Sequence, residues 1–197
     1  DPGSHALQVF GEDGGKTLVE GIAAGSAGVR LVLDAATCDD SIDAKLGRVQ
    51  REVPSSIANR PPTRVAWDER IELLGWEIPP RVRAGEKFEL VLLYKVLKPI
   101  DRSWKIFIHV ERPKRRINAD HEPLGGRCPT STWKPGDVII DRTSLRVDPS
   151  YDRGKYDVLI GFFSGWAPSW KNLPLSDAPE PRDEHQRLTL TSVIVEK

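Results

Sequence analysis

WKIFIHVE (residues 104–111) and YDVLIGF (residues 156–162) alternate apolar and polar side chains, and between them lies HEPLGGRCPTSTWKPGDVIID (residues 121–141). A period of two places Trp104, Ile106, Ile108 and Val110 on one face of an extended strand and Lys105, Phe107, His109 and Glu111 on the other. In the later stretch Tyr156, Val158, Ile160 and Phe162 share a face in the same way. Two half-buried strands joined by a connection rich in Pro and Gly are the pattern of packed sheets, not of helices.

Outward from this centre the pattern repeats. Phe88, Leu90, Leu92, Tyr94 and Val96 line one face of residues 88–96, while Glu89, Val91, Leu93 and Lys95 line the other, so that strand has a partly apolar outer side. Shorter strands are predicted at 138–141 and 144–147, and a last one at 188–195. In that last strand the apolar phase slips between Thr191 and Val193, the mark of a bulge. Pro79-Pro80, Ala84-Gly85, Lys98-Pro99, Gly125-Gly126, Lys134-Pro135-Gly136 and Arg153-Gly154 fall between the strands, where fixed or permissive φ values make turns. Roughly seven short strands so spaced predict a mainly β fold, an antiparallel β-sandwich of immunoglobulin-like or carbohydrate-module-like shape over residues 63–197.

Residues 1–62 read differently, as a small N-terminal αβ segment and linker. Ala6-Leu7-Gln8-Val9-Phe10 and Thr17-Leu18-Val19-Glu20 bracket a Gly-rich turn at 11–15, a predicted hairpin, and a third strand is predicted at 29–33. Asp39, Asp40 and Ser41 then offer N-caps to a short helix whose apolar positions Ile42, Leu46, Val49 and Val53 recur at helical spacing. Pro54 stops it. PSSIANRPP (residues 54–62) has the composition of a linker.

Bulk properties narrow the classes of function. The 29 basic and 29 acidic side chains cancel, so no global field draws in nucleic acid, and no nucleic-acid partner is expected. No run approaches the roughly 20 apolar residues of a membrane span. The chain contains no methionine and Gly3-Ser4-His5 resembles a vector remnant, so it is expected to be a piece of a longer protein. Cys38 and Cys128 match no metal-ligand spacing, and no metal or cofactor is expected. In an oxidising compartment they would form a disulfide contributing about 4 kcal/mol in the chain-entropy picture; the alternative is two unrelated buried thiols.

Four groups of residues could carry chemistry. His109, Asp120, His121 and Glu122 bring imidazoles and carboxylates together, but without a nucleophile elbow or paired ligand motif they read as turn hydrogen bonds, and a hydrolase or metal site is the weaker alternative. Arg112, Lys114, Arg115 and Arg116 are a basic run that suits a solvated hairpin turn and also an anionic surface. Trp166 and Trp170, with Lys171 and Asn172 beside them, lie in a loop-like insert, where exposed indoles would stack on pyranose rings while polar neighbours take the hydroxyls. The reading preferred from the sequence folds both indoles back as a lid on the core, with Pro168 and Pro174 setting the path. Trp67, Trp76, Trp104 and Trp133 are assigned to packing.

Leu73-Leu74-Gly75, Pro80-Arg81-Val82-Arg83-Ala84-Gly85-Glu86, Phe107-Ile108-His109-Val110, His121-Glu122, Gly125-Gly126, Pro129-Thr130, Trp133-Lys134-Pro135-Gly136-Asp137, Asp141 and Gly154-Lys155-Tyr156 occur in an order that resembles one bacterial module. That module is the extracytoplasmic β-sandwich at the C-terminus of membrane glycosyltransferases of the dolichyl-phosphate-mannose mannosyltransferase type. The resemblance covers about residues 70–195 and leaves out both the first 60 or so and the insert at 165–187. It implies a non-catalytic accessory domain on the outer side of the cytoplasmic membrane, held near it by a parent protein or partner. A glycan or an envelope protein would be its partner, and a purely structural protein-interaction domain is the alternative.

Overall fold

The computed structural model describes residues 7–10, 16–19, 47–50, 54, 57–166, 168–178 and 185–197. Its strands are β1 (Leu7–Phe10), β2 (Lys16–Val19), β3 (Gly47–Gln50), β4 (Ala66–Trp67), β5 (Ile71–Glu77), β6 (Arg81–Arg83) and β7 (Lys87–Val96). They continue with β8 (Lys105–Arg112), β9 (Arg115–Asn118), β10 (Val138–Arg146), β11 (Gly154–Ser164), β12 (Lys171–Asn172), β13 (Leu175–Asp177) and β14 (Leu188–Glu196). One sheet has the order β13-β4-β5-β7-β10-β3, and the second β6-β14-β11-β8-β9 with β12 paired to the end of β11. Neighbours are antiparallel except β14 and β6, which run parallel. The mainly β sandwich expected from the alternation is the fold observed.

The sandwich closes because the inward phases meet. Phe88, Leu90, Leu92, Tyr94 and Val96 of β7 share one buried cluster with Ile106, Ile108 and Val110 of β8 and Tyr156, Val158, Ile160 and Phe162 of β11. At its centre Trp67 and Tyr94 from the first sheet meet Phe162 from the second, with ring centroids 5.2 Å from Phe162 in both cases. Each such tilted or edge-on contact adds about 1 kcal/mol beyond its burial. Trp76, Trp104 and Trp133 are buried as well, so the four indoles assigned to packing do pack.

The apolar outer side of β7 is also covered. Val91 and Leu93 join Val138 and Ile140 of β10 in a separate buried cluster, against which Ile57 and Leu74 pack. The segment containing Ile57 and Asn59 passes close over Gly75, where a Cβ would come within 2.4 Å of the Asn59 carbonyl oxygen and 2.8 Å of Ile57 Cγ2. Asn59 and Trp76 exchange backbone hydrogen bonds there. The stretch read as a linker is therefore ordered against the sheet at residues 57–59.

Three local readings change. The helix expected across 42–53 is replaced at 47–50 by strand β3, which pairs residue for residue with Val138–Asp141 of β10. An open strand edge satisfies its N–H and C=O groups by taking a partner, and Gly47 with β-branched Val49 gives up little helix propensity in doing so. The two strands predicted at 138–141 and 144–147 are one, β10, in unbroken register with β7 from Val138 to Arg146. The bulge in β14 has Leu190 as its extra residue, between the Val158–Thr191 and Leu159–Thr189 pairs, slightly earlier than the phase slip suggests.

Asp1–Thr37 and Cys38–Lys197 are separate compact units. In the first, β1 and β2 form the expected antiparallel hairpin, Leu7 opposite Val19 and Phe10 opposite Lys16. The strand predicted at 29–33 lies outside the described residues.

Candidate functional site

The outward phase of β8 and β11 builds an aromatic surface on the second sheet. Phe107 lies directly opposite Gly161 in the β8–β11 register. Its ring rests where a Gly161 side chain would stand, with Phe107 Cζ only 2.3 Å from a Cβ built there. Lying flat, Phe107 stacks on His109 two residues along the strand, at 5.1 Å between centroids and 29° between planes, and approaches Phe163 at 6.4 Å. Phe107 is 4% exposed, although it faces away from the core.

The insert after β11 supplies the rest. Gly165 at φ 89° turns the chain, Ser169 N–H donates to the Trp166 carbonyl at 2.7 Å, and β12 then pairs back on β11, Ser164 opposite Lys171 and Phe163 opposite Asn172. The loop stands at the end of the sheet with Trp166 78% and Trp170 62% exposed. Both indoles therefore face solvent and do not fold back as a lid. The Asn172 side-chain amide donates to the His185 carbonyl at 2.7 Å, tying β12 to the later part of the insert.

Two adjoining clefts result. The first, about 260 Å³, has Phe107, His109, Asn118, Phe163, Trp170 and Asn172 in its walls. The second, about 460 Å³, has Lys105, Glu122, Phe163, Trp166 and Trp170. Of the residues predicted for sugar stacking, Trp166, Trp170 and Asn172 line these clefts, and Lys171 lines neither. Phe107, Phe163, Asn118 and Arg187 were not anticipated as site residues. The signal was present in the outward phase, where Phe107, Leu159 and Phe163 stand among polar residues, but strand pairing alone brings Phe107 and Phe163 beside Trp170.

Charge on this face is matched locally. Glu111 accepts from Arg116 at 2.6 Å and from Arg187 at 2.8 Å. Burial raises the Glu111 pKa, and the two guanidinium hydrogen bonds and charges overcome that effect and leave it lowered. Lys105 stands 3.4 Å from Glu122 and 4.3 Å above the Trp166 ring. His109 Nε2 is 3.5 Å from Asp120 Oδ1, and its Nδ1 is buried with no hydrogen-bond partner among the described residues.

The two imidazoles serve different partners. His121 pairs through its backbone with Ile106 of the second sheet, while its Nε2 meets Asp141 Oδ2 of the first sheet at 2.7 Å and its Nδ1 meets the Ala119 carbonyl at 2.9 Å. Burial opposes the charged ring, but the Asp141 hydrogen bond and charge, followed by Ala119 and Asp120, raise its pKa. The other Asp141 oxygen accepts from Leu124 N–H at 2.8 Å, and Asp141 is 1% exposed. His121 and Asp141 thus form an interlayer tie, with His109 on the outer face of β8. Among the described residues no group of three or more His, Cys, Asp or Glu side chains could hold a metal ion.

The basic run is the β8–β9 hairpin, with Arg112 opposite Arg115 and Lys114 at φ 69° in its turn. Arg112 donates to the Arg153 carbonyl at 3.1 Å and stacks on Tyr156, Arg115 lies over Tyr151, and Arg116 is held by Glu111. Three of the four cations therefore have partners within the chain, as a hairpin turn predicts. Cys128 is disulfide-bonded, and Cys38, the only other cysteine of the sequence, lies outside the described residues.

No family model matches the chain. No curated protein matches it either. Among solved structures it is similar to the crystal structure of the C-terminal domain of wzt, with 14% identity and a TM-score of 0.49, over 73% of this chain and 83% of that one.

Proposed function

We propose that this chain is a non-catalytic glycan-binding module, an extracytoplasmic accessory domain of cell-envelope glycan assembly or glycosyl transfer. One observation carries the reading: Trp170, largely exposed, forms the wall of a cleft floored by the Phe107–His109 stack and rimmed by Asn118, Asp120 and Asn172. Aromatic faces bind the C–H side of a sugar ring, and amide and carboxylate groups at the rim take its hydroxyls. The separate partners of His109 and His121 favour binding over catalysis, since neither imidazole shares a reacting point with the other. The disulfide at Cys128 supports placement on the oxidising side of the membrane. The resemblance to the C-terminal sandwich of dolichyl-phosphate-mannose mannosyltransferase-type enzymes supports attachment to a membrane glycosyltransferase.

The test is a tryptophan-fluorescence titration with bacterial envelope glycans and lipid-linked sugars, run on the parent chain and on Trp170→Ala. A saturable change in the parent that the variant loses is expected. A folded parent that responds to no member of the panel overturns the reading and leaves a protein-interaction domain.

A further inference from the structure

The two clefts are not independent sites. Trp170, Phe163 and Asp120 line both, so one indole, one phenyl ring and one carboxylate form a shared partition. The smaller cleft, at about 260 Å³, falls short of the roughly 300 to 1,000 Å³ usual for a small-molecule pocket, and its neighbour, at about 460 Å³, lies within that range. Trp166 lines the second cleft and not the first, with the Lys105 ammonium 4.3 Å above its ring. Two exposed indoles therefore mark successive positions along one groove.

The charged side chains around the groove meet partners within the chain. Arg116 and Arg187 share Glu111, Lys105 faces Glu122, His109 faces Asp120, and His121 faces Asp141. An anionic sugar would compete with these carboxylates for the cations, which a neutral hydroxyl need not do. Neutral hydroxyls can instead bridge the amide and carboxylate groups already in place, and Asp120 on the partition is within reach of rings on either side.

From this geometry we infer that the groove takes a neutral oligosaccharide of at least two units, one ring against Trp170 in the first cleft and the next against Trp166 in the second. The inference rests on the glycan-binding reading above and extends it to ligand class and length. Trp170 belongs to both positions, and Trp166 only to the second.

Isothermal titration calorimetry on the whole chain tests it, with neutral gluco-, manno- and galacto-oligosaccharides of increasing length and acidic oligogalacturonates as probes. In the series that binds, affinity should rise about tenfold from one ring to two, the gain expected for one added aromatic contact. Trp166→Ala should return the disaccharide to the affinity of the single sugar, while Trp170→Ala should weaken both, with circular dichroism confirming that each variant folds. Binding should be the same at low and high salt. A single sugar that binds as tightly as its longer homologues overturns the two-position groove and leaves the glycan reading standing. Preferential, salt-sensitive binding of oligogalacturonates overturns the neutral-ligand assignment. Failure of every saccharide removes the glycan reading, and this inference with it.

Discussion

His121 and Asp141 show what a single pair does in this fold. The His121 backbone extends the second sheet and its side chain reaches Asp141 in the first, so one imidazole joins the two layers. Asp141 also holds Leu124, whose backbone is left-handed at φ 54° while its side chain is fully buried, a conformation that costs an L-residue about 1 kcal/mol. Breaking one side of a buried pair of this kind costs about 3 kcal/mol, so His121→Ala should lower the unfolding free energy by about that much in denaturant titration. The pH dependence has a definite sign. The His121 pKa is raised in the folded chain, so its contribution is fully present below the unfolded value of about 6.5 and fades as pH climbs through the folded value. Thermal midpoints should therefore show a larger deficit for His121→Gln at mildly acidic pH than at alkaline pH. A deficit independent of pH would mean that the pair contributes only neutral hydrogen bonds.

Among the strands, β8 and β11 decide the site, and Gly161 decides how they do so. Phe107 occupies the space above that glycine, which allows the ring to lie on the sheet and carry His109 in a stack. Gly161→Ala should push Phe107 outward, weaken glycan binding about tenfold or more, and cost about 1 to 3 kcal/mol of stability, measured by titration and chemical denaturation together. Unchanged affinity in a destabilised variant would show that the aromatic floor is not used. Gly75→Ala makes a useful contrast. On the sheet that does not carry the clefts, its new Cβ would strike the Asn59 carbonyl and Ile57, so stability should fall by a similar amount while affinity stays as it was. Periodicity alone showed that Phe107, His109 and Glu111 share an outward face, but not that Gly161 would stand opposite Phe107. That opposition is set by register, and a shift of one residue would have turned the whole face inward.

For the molecule as a whole, covalent linkage and layer packing matter more than charge, since the formal charges sum to zero. With Cys128 in a disulfide and Cys38 its one possible intrachain partner in the sequence, the bridge would close a long loop, a constraint worth about 4 kcal/mol in the chain-entropy picture. Cys128→Ser, or the parent under strong reductant, should therefore melt at a clearly lower temperature. Peptide mapping without reduction should find the Cys38 and Cys128 peptides joined. Two free thiols in that map would remove the disulfide and, with it, one support for an oxidising location.

The mainly β sandwich could be read from alternation and turn chemistry, because every inward phase of two residues needs an opposing sheet to bury it. Within residues 129–137, Thr130, Trp133 and Asp137 are scaffold. Thr130 donates to the Arg102 carbonyl and accepts from Trp104 N–H, Trp133 donates to the Cys128 carbonyl, and Asp137 caps the Lys134 turn. The Trp133 and Asp137 contacts are local and lie within reach of a sequence pattern, whereas those of Thr130 span more than 25 residues. For Trp166 and Trp170 the sequence left exposure and a lid on the core both open and leaned to the lid, and only the structure shows them exposed. Tertiary structure decided the rest: β3 in place of a helix, a single β10, and a cleft assembled from β8, β9, β11 and the insert. Those outcomes depend on which backbone edges find partners and which side chains meet across strands far apart in the chain. Local composition does not encode these pairings, because each depends on two segments at once.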